Sequence, residues 1–217
     1  MENHKHRSIS LSEQIFEKLE NDILIGKYKR GEVLTEIKLS EELGVSRTPI
    51  REALHRLAAE HIIEESSKGS IVLGISENDV KDIFDIRLKI EGLAAAGCAK
   101  NIEPDQLAEL KEALELQEFY IARGNVENIR IMDSRFHELL YEFCGSSVLQ
   151  DVLVPLHRKT QKYRHVSVSD QTRAEVSLGE HKLIFDAIEK GDDIKAEAEA
   201  IKHITNAAAR ILGKEAK

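Results

Sequence analysis

From Ser76 onward the sequence carries one period only, that of the α-helix, and no other feature constrains the fold as much. Apolar residues recur at three- and four-residue intervals in six runs, about 77–100, 104–123, 125–144, 147–164, 170–190 and 193–212. The separators are short: Asn101-Ile102-Glu103-Pro104, Gly124-Asn125, Gly145-Ser146-Ser147, a Ser/Val stretch at 166–169, and Gly191-Asp192-Asp193. Helices joined by so few residues turn back on one another, so this part of the chain predicts an antiparallel six-helix bundle.

The preceding residues read differently. A helix over 9–25 ends at Gly26, and a two-turn helix runs from Thr35 to Leu43-Gly44, where Gly44 suits a left-handed terminus. Ser46 caps a third helix through Ala59, with Pro49 in its first turn. Ile62–Glu65 and Ser70–Leu73 are short β-prone runs around Ser66-Ser67-Lys68-Gly69, which predicts a hairpin. Helix, helix, glycine turn, helix and hairpin is the order of a winged helix-turn-helix. The expected protein is therefore mostly α: a winged helix-turn-helix over residues 1–74 and a six-helix bundle over 75–217.

Charge limits what the first unit can bind and how. The 217 residues carry a net charge of -8, and residues 1–73 hold 11 Lys and Arg against 13 Asp and Glu. Nucleic-acid binding must then rest on a local cationic surface. Trp is absent and aromatics are 5%, which argues against a platform for stacking single-stranded bases. No run of about 18 apolar residues exists to span a membrane, and the polar start MENHKHRSIS lacks the apolar core of a signal peptide, so the cytoplasm is the expected compartment. Cys98 and Cys144 form no CxxC pair and read as reduced, buried thiols.

The local cationic surface lies in LGVSRTPIREAL. Arg47 and Arg51 are one turn apart on one face of the third helix, while Ile50, Ala53, Leu54 and Leu57 form the inward face. Ser46 and Thr48 place hydroxyls beside helix N-terminal amides, a setting for phosphate oxygens. Arginine gripping guanine O6 and N7 is the commonest specific base contact. Lys68 and Gly69 would bring the hairpin tip to the DNA backbone or minor groove. The competing reading is that both arginines merely pair with glutamates on a solvated helix.

A second constellation lies in the bundle. Asp133 and His137 are four residues apart and share a helix face. His181 and His203 each lie 11 residues from position 192, at the centre of the last turn, so in an antiparallel pair they stand at one level. If both face the axis, the four can hold one divalent ion; three imidazoles and a carboxylate suit zinc, nickel, manganese or iron. The other histidines, His4, His6, His55, His61, His157 and His165, read as surface or hydrogen-bonded core residues.

Nearly all of residues 9–73, above all LGVSRTPIREAL and KGSIVL, resembles the DNA-binding domain of GntR-family bacterial transcription factors. In that family the positions matching Arg47, Thr48 and Arg51 contact operator DNA, and the glycine matching Gly69 enters the minor groove. Arg30-Gly31 departs from the usual Pro-Gly. Residues 77–212 resemble the FCD effector domain of the FadR branch. The resemblance is carried by Ile86-Arg87-x-x-Ile90-Glu91, Asp133-x-x-Phe136-His137, Glu180-His181-x-x-Ile184 and His203. Six helices point to its shorter, VanR-like subgroup.

The family's metal ligands match Asp133, His137, His181 and His203, and its effectors are small organic or sugar acids. The resemblance thus implies a homodimeric repressor that binds double-stranded operator DNA and responds to such an acid. Arg87 is a candidate effector contact, because its fork fits a carboxylate; its alternative is a salt bridge to Glu91. Asn206 is a second candidate.

Two rival functions use the same bundle. One is a helical metalloenzyme acting on a small organic acid, which would need a base beside the metal. Glu138 and Glu180 adjoin ligands, but helical neighbours point about 100° apart, which predicts that both turn away. No HExxH, GxSxG or phosphate loop is present. The other is an interaction module with a purely structural metal.

Overall fold

The computed structural model describes residues 10–160 and 171–213. The chain divides between Ser76 and Glu77 into two compact units, each with its own hydrophobic core.

In the N-terminal unit, α1 (Leu11–Leu24), α2 (Glu36–Leu43) and α3 (Arg47–Ala59) enclose Phe16, Leu19, Leu39, Ile50 and Leu57, all fully buried. The Thr35 hydroxyl accepts from the Lys38 amide at 3.3 Å to start α2, and Gly44 ends it with φ +67°. Ser46 stands at the N-terminus of α3, but its side chain makes no capping bond there. The hydroxyl is therefore not the helix-starting device that the sequence suggests.

The wing consists of β2 (Ile63–Ser66) and β3 (Gly69–Val72), antiparallel, with Ser66 opposite Gly69. A third strand was not foreseen. Residues Val33–Leu34 form β1, which pairs with Ile71 and Ser70 and makes the sheet order β1-β3-β2. Two residues are too few to show a period of two, so β1 exists only through its partner. Its approach dictates Gly69: φ is +129°, and a Cβ there would meet the Leu34 carbonyl oxygen at 2.6 Å. Fold alone therefore requires this glycine, and the exposed tip is Ser67-Lys68.

The C-terminal unit is helical throughout its described residues: α4 (Glu77–Asn101), α5 (Pro104–Ala122), α6 (Val126–Glu142), α7 (Ser147–Lys159), α8 (Gln171–Glu189) and α9 (Asp193–Ile211). The separators supply the caps. Asn125, Ser146 and Asp192 accept from Asn128, Leu149 and Lys195 amides at 3.1, 3.3 and 3.0 Å. Helix α7 ends at Lys159, five residues short of the expected 164; residues 161–164 and the expected Ser/Val separator lie outside the described residues.

Helix α4 packs along α9 and also meets α6, α7 and α8, which makes it the axis of the bundle. Cys98 and Cys144 are buried free thiols, and burial raises Cys98 to about 12. No helix among the described residues is long and apolar enough to cross a membrane.

Candidate metal centre and DNA-reading surface

Three imidazoles meet at the centre of the helical unit. His137 comes from α6, His181 from α8 and His203 from α9; each offers a ligand nitrogen, and these atoms lie within 4.8 Å of one another. Ring centroids are 5.0 Å apart for His137 and His181, 4.6 Å for His181 and His203, and 5.2 Å for His137 and His203. Phe136 stacks on His181 at 4.5 Å and covers one face of the ring. Asp133, the expected fourth member, approaches with Oδ1 3.8 Å from His181 Nε2 but stands outside the close group of three.

Each of the three rings has its Nδ1 on an oxygen. His137 Nδ1 is 3.1 Å from Glu91 Oε1, His203 Nδ1 is 2.7 Å from Glu180 Oε2, and His181 Nδ1 is 3.2 Å from Gln117 Oε1. Carboxylates only accept, so Nδ1 carries the proton on His137 and His203. The Gln117 orientation follows from the same rule: its amide nitrogen donates to Asp133 Oδ1 at 3.4 Å, which turns its carbonyl to His181. All three tautomers therefore leave Nε2 as the lone-pair nitrogen.

Burial favours the uncharged form of His137 and His203. It lowers His203 to about 4 and pulls His137 below its ordinary value, against the raising effect of Glu180 on the first and Glu91 on the second. Neutral imidazole with an oriented Nδ1–H is the form that binds a transition metal.

The surrounding shell is charged and fully engaged. Arg87 donates from Nε to Glu91 Oε2 at 2.7 Å and from Nη2 to Oε1 at 2.9 Å; both residues are about 2% exposed. Of the two readings open for Arg87, the salt bridge is the one formed. The Tyr141 hydroxyl adds a 2.6 Å bond to Glu91. Burial pushes the Glu91 carboxyl upward, but Arg87 and His137 outweigh it and hold the group well below the usual range.

Asn206 donates to Glu180 Oε1 at 2.7 Å and Arg210 to Oε2 at 3.0 Å. Beside the imidazoles, a cavity of about 40 Å³ is lined by Arg87, Asp133, His137, Arg173, His203 and Arg210, among others.

Sequence reasoning missed several of these residues. His157, read as an ordinary histidine, is 1% exposed, with its ring 4.7 Å from His137. Glu180, expected to turn away from the metal, bonds His203 on the neighbouring helix through Nδ1 and not through the ligand nitrogen, a contact that carried no sequence signal. Glu138 lies on the outer α5–α6 groove with Glu109 and Arg135. Gln117 carried no sequence signal at all. His61 and His55 are exposed, while His4, His6 and His165 lie outside the described residues.

In the N-terminal unit, Arg47, Thr48 and Arg51 are exposed on α3, and Lys68 is exposed at the wing tip. Glu36, at the start of α2, binds both arginines. Arg47 Nε and Nη2 donate to Oε2 at 3.0 and 2.8 Å; Arg51 Nε donates to Oε1 at 2.8 Å and Nη2 to Oε2 at 3.0 Å. The expected pairing with a glutamate thus coexists with exposure. His55, nine residues along α3 from Ser46, meets Glu65 of the wing at 2.7 Å.

Three helices with an exposed arginine pair on the third, followed by a β wing, define a winged-helix DNA-binding protein. Comparison with known proteins narrows this. Residues 11–73 match the model of bacterial regulatory proteins of the gntR family, and residues 82–206 match the FCD domain. The chain belongs to the GntR family of bacterial transcriptional regulators, in its FCD-bearing branch.

The chain is 30% identical to the regulator YdhC of Bacillus subtilis (strain 168), over 89% of this chain and 87% of that one. It is 29% identical to the transcriptional repressor RspR of Escherichia coli (strain K12), over 89% and 86%. The gluconate operon transcriptional repressor of B. subtilis is 28% identical over 78% and 72%. Among solved structures, E. coli McbR/YncC shares the fold with a TM-score of 0.81 at 24% identity, covering 96% of this chain and all of that one. Relatives and fold are those of transcriptional regulators, not enzymes.

Proposed function

We propose that this regulator is a homodimeric, cytoplasmic repressor whose helical unit holds a divalent transition metal and, on it, a small carboxylate effector. The observation that carries the reading is the common tautomer of His137, His181 and His203, in which three Nδ1–H groups are tied to oxygens and three Nε2 lone pairs remain. Two atoms bonded to one such ion at about 2.1 Å are at most about 4.2 Å apart, the scale of the 4.8 Å group. Asp133 supplies the carboxylate member. Zinc, nickel, manganese and iron all accept this donor set.

The ion would supply a Lewis-acid seat for a carboxylate oxygen. Arg173 lines the adjoining cavity and offers positive charge for the remainder of an acid, beside Arg210, whose Nη2 is held by Glu180. Arg87, committed to Glu91, serves as the fixed wall of that cavity. Asn206 contributes through Glu180, which its amide and Arg210 hold in place for His203. At about 40 Å³ the cavity admits a few waters, so an organic or sugar acid enters only as the helices shift. That shift is the means by which effector binding biases the DNA-competent arrangement.

In the DNA-binding unit, residues 11–73, the arginine pair Arg47 and Arg51, with Ser46 and Thr48, reads one half-site, and Lys68 with the Gly69 backbone approaches the DNA alongside. Elemental analysis of untagged protein tests the metal: about one transition-metal ion per chain is expected, absent in His181→Ala. Absence from the wild type as well would refute the metal reading and leave the DNA-binding reading standing. A gel shift on the regulator's own upstream DNA tests the other half.

A further inference from the structure

A guanidinium has two edges that can grip two acceptors at once: the Nε–Nη2 side and the Nη1–Nη2 end. Both reading-helix arginines spend the same edge on the same partner. Arg47 and Arg51 each reach Glu36 through Nε and Nη2, at 2.8–3.0 Å, and neither uses Nη1 there. The arginine side chains are 55% and 54% exposed, while Glu36 is 23% exposed beneath them. Hydrogen bonds from Arg51 and Arg47 hold the Glu36 carboxyl down to about 2, so it stays charged throughout the physiological range.

Resting on the DNA-reading assignment of Arg47 and Arg51, we propose that Glu36 is the positioning residue for base readout. Its one carboxylate anchors both guanidiniums by their side edges and leaves their end edges as an oriented pair for guanine O6 and N7. Two consequences follow. Each arginine loses most of its freedom to swing toward a phosphate, since its side edge is already held. The cluster of two cations and one anion also carries a single net positive charge, which weakens sequence-independent attraction to the duplex. Glu36 thus gives up general affinity and raises discrimination. The unit's acidic balance, 11 cations against 13 anions, accords with a surface that does not bind DNA by charge alone.

The test compares full-length wild type, Glu36→Gln and Glu65→Gln in selection from a randomised 20-base-pair duplex pool, followed by affinity for the selected site and for unselected pool DNA across a salt series. Glu65→Gln removes the same charge beside His55 without touching either arginine. Wild type should enrich a motif with guanines on either strand. Glu36→Gln should keep the motif's length but lose about tenfold of its preference at those guanines. Its affinity for pool DNA should rise, with a salt slope steeper by about one ion per chain. Glu65→Gln should steepen the slope without flattening the guanines.

Equal base preference in Glu36→Gln and wild type overturns the inference alone. Equal flattening in Glu65→Gln overturns it too, because charge rather than orientation would then be the cause. A wild type that enriches nothing overturns the DNA-reading assignment and the inference with it.

Discussion

Replacing Glu91 by glutamine removes one charge from a place that water does not reach. The Glu91 carboxylate accepts four hydrogen bonds: Arg87 Nη2, the Tyr141 hydroxyl and His137 Nδ1 on Oε1, and Arg87 Nε on Oε2. The least damaging placement of the glutamine amide puts its NH₂ where Oε2 was, opposing a single donor, Arg87 Nε. Even so, a guanidinium 2% exposed keeps no counter-anion. Breaking a buried pair from one side costs about 3–5 kcal/mol.

At about 2–4 °C per kcal/mol for a chain of this size, the melting temperature should fall by about 10 °C. Thermal unfolding of metal-free protein followed by circular dichroism reads this directly. The double replacement Arg87→Met with Glu91→Leu should recover part of the loss, because it removes both charges but leaves the His137 Nδ1–H and the Tyr141 hydroxyl without their acceptor. Tyr141→Phe, which removes one donor from the same oxygen, should cost about 1 kcal/mol. A shift below about 3 °C for Glu91→Gln would refute the argument that Glu91 serves chiefly to neutralise Arg87.

Other outcomes follow from neighbouring features. Gln117→Leu removes the acceptor that sets the His181 tautomer and should weaken metal binding about 10–100-fold, measured by competition with a chelator, while the helical content is kept. Gly69→Ala must relieve a Cβ contact of 2.6 Å with the Leu34 carbonyl at a positive φ, so it should destabilise the N-terminal unit by about 1–3 kcal/mol in urea unfolding. The Glu36 carboxyl sits at about 2 when folded against 4.5 ordinarily, so its contribution is complete above pH 4.5 and is lost as pH falls toward 2. The stability difference between wild type and Glu36→Gln should therefore stay constant above about pH 5 and shrink below it.

The layout was legible wherever one element suffices to define it. Helical period, short separators and glycine stops located the nine helices of the described residues, because apolar spacing and caps are local properties. The spacing of Asp133 and His137 is likewise local, and the equal distances of His181 and His203 from residue 192 needed only the assumption of a tight antiparallel turn. Strand β1 was invisible, since two residues acquire a strand identity only from Ile71 and Ser70 opposite them. His157 looked like any other histidine because nothing within α7 marks the face that meets His137 across a helix interface.

Glu180 shows why the shell around the histidines resists the same reasoning. Its neighbour His181 points into the cluster, and one residue of helix rotates a side chain by about 100°, so Glu180 leaves α8 in a different direction. That step is sound for atoms on one helix. It is silent on what lies across the helix interface: α9 lies beside α8, and the direction that turns away from His181 turns toward His203 Nδ1, with Asn206 and Arg210 on the same side. A direction becomes a contact only when the neighbouring helix is known. Spacing about a tight turn gives the level at which two helices meet, as for His181 and His203, but not which side chains of that level face each other, and the residues that orient a ligand depend on that facing.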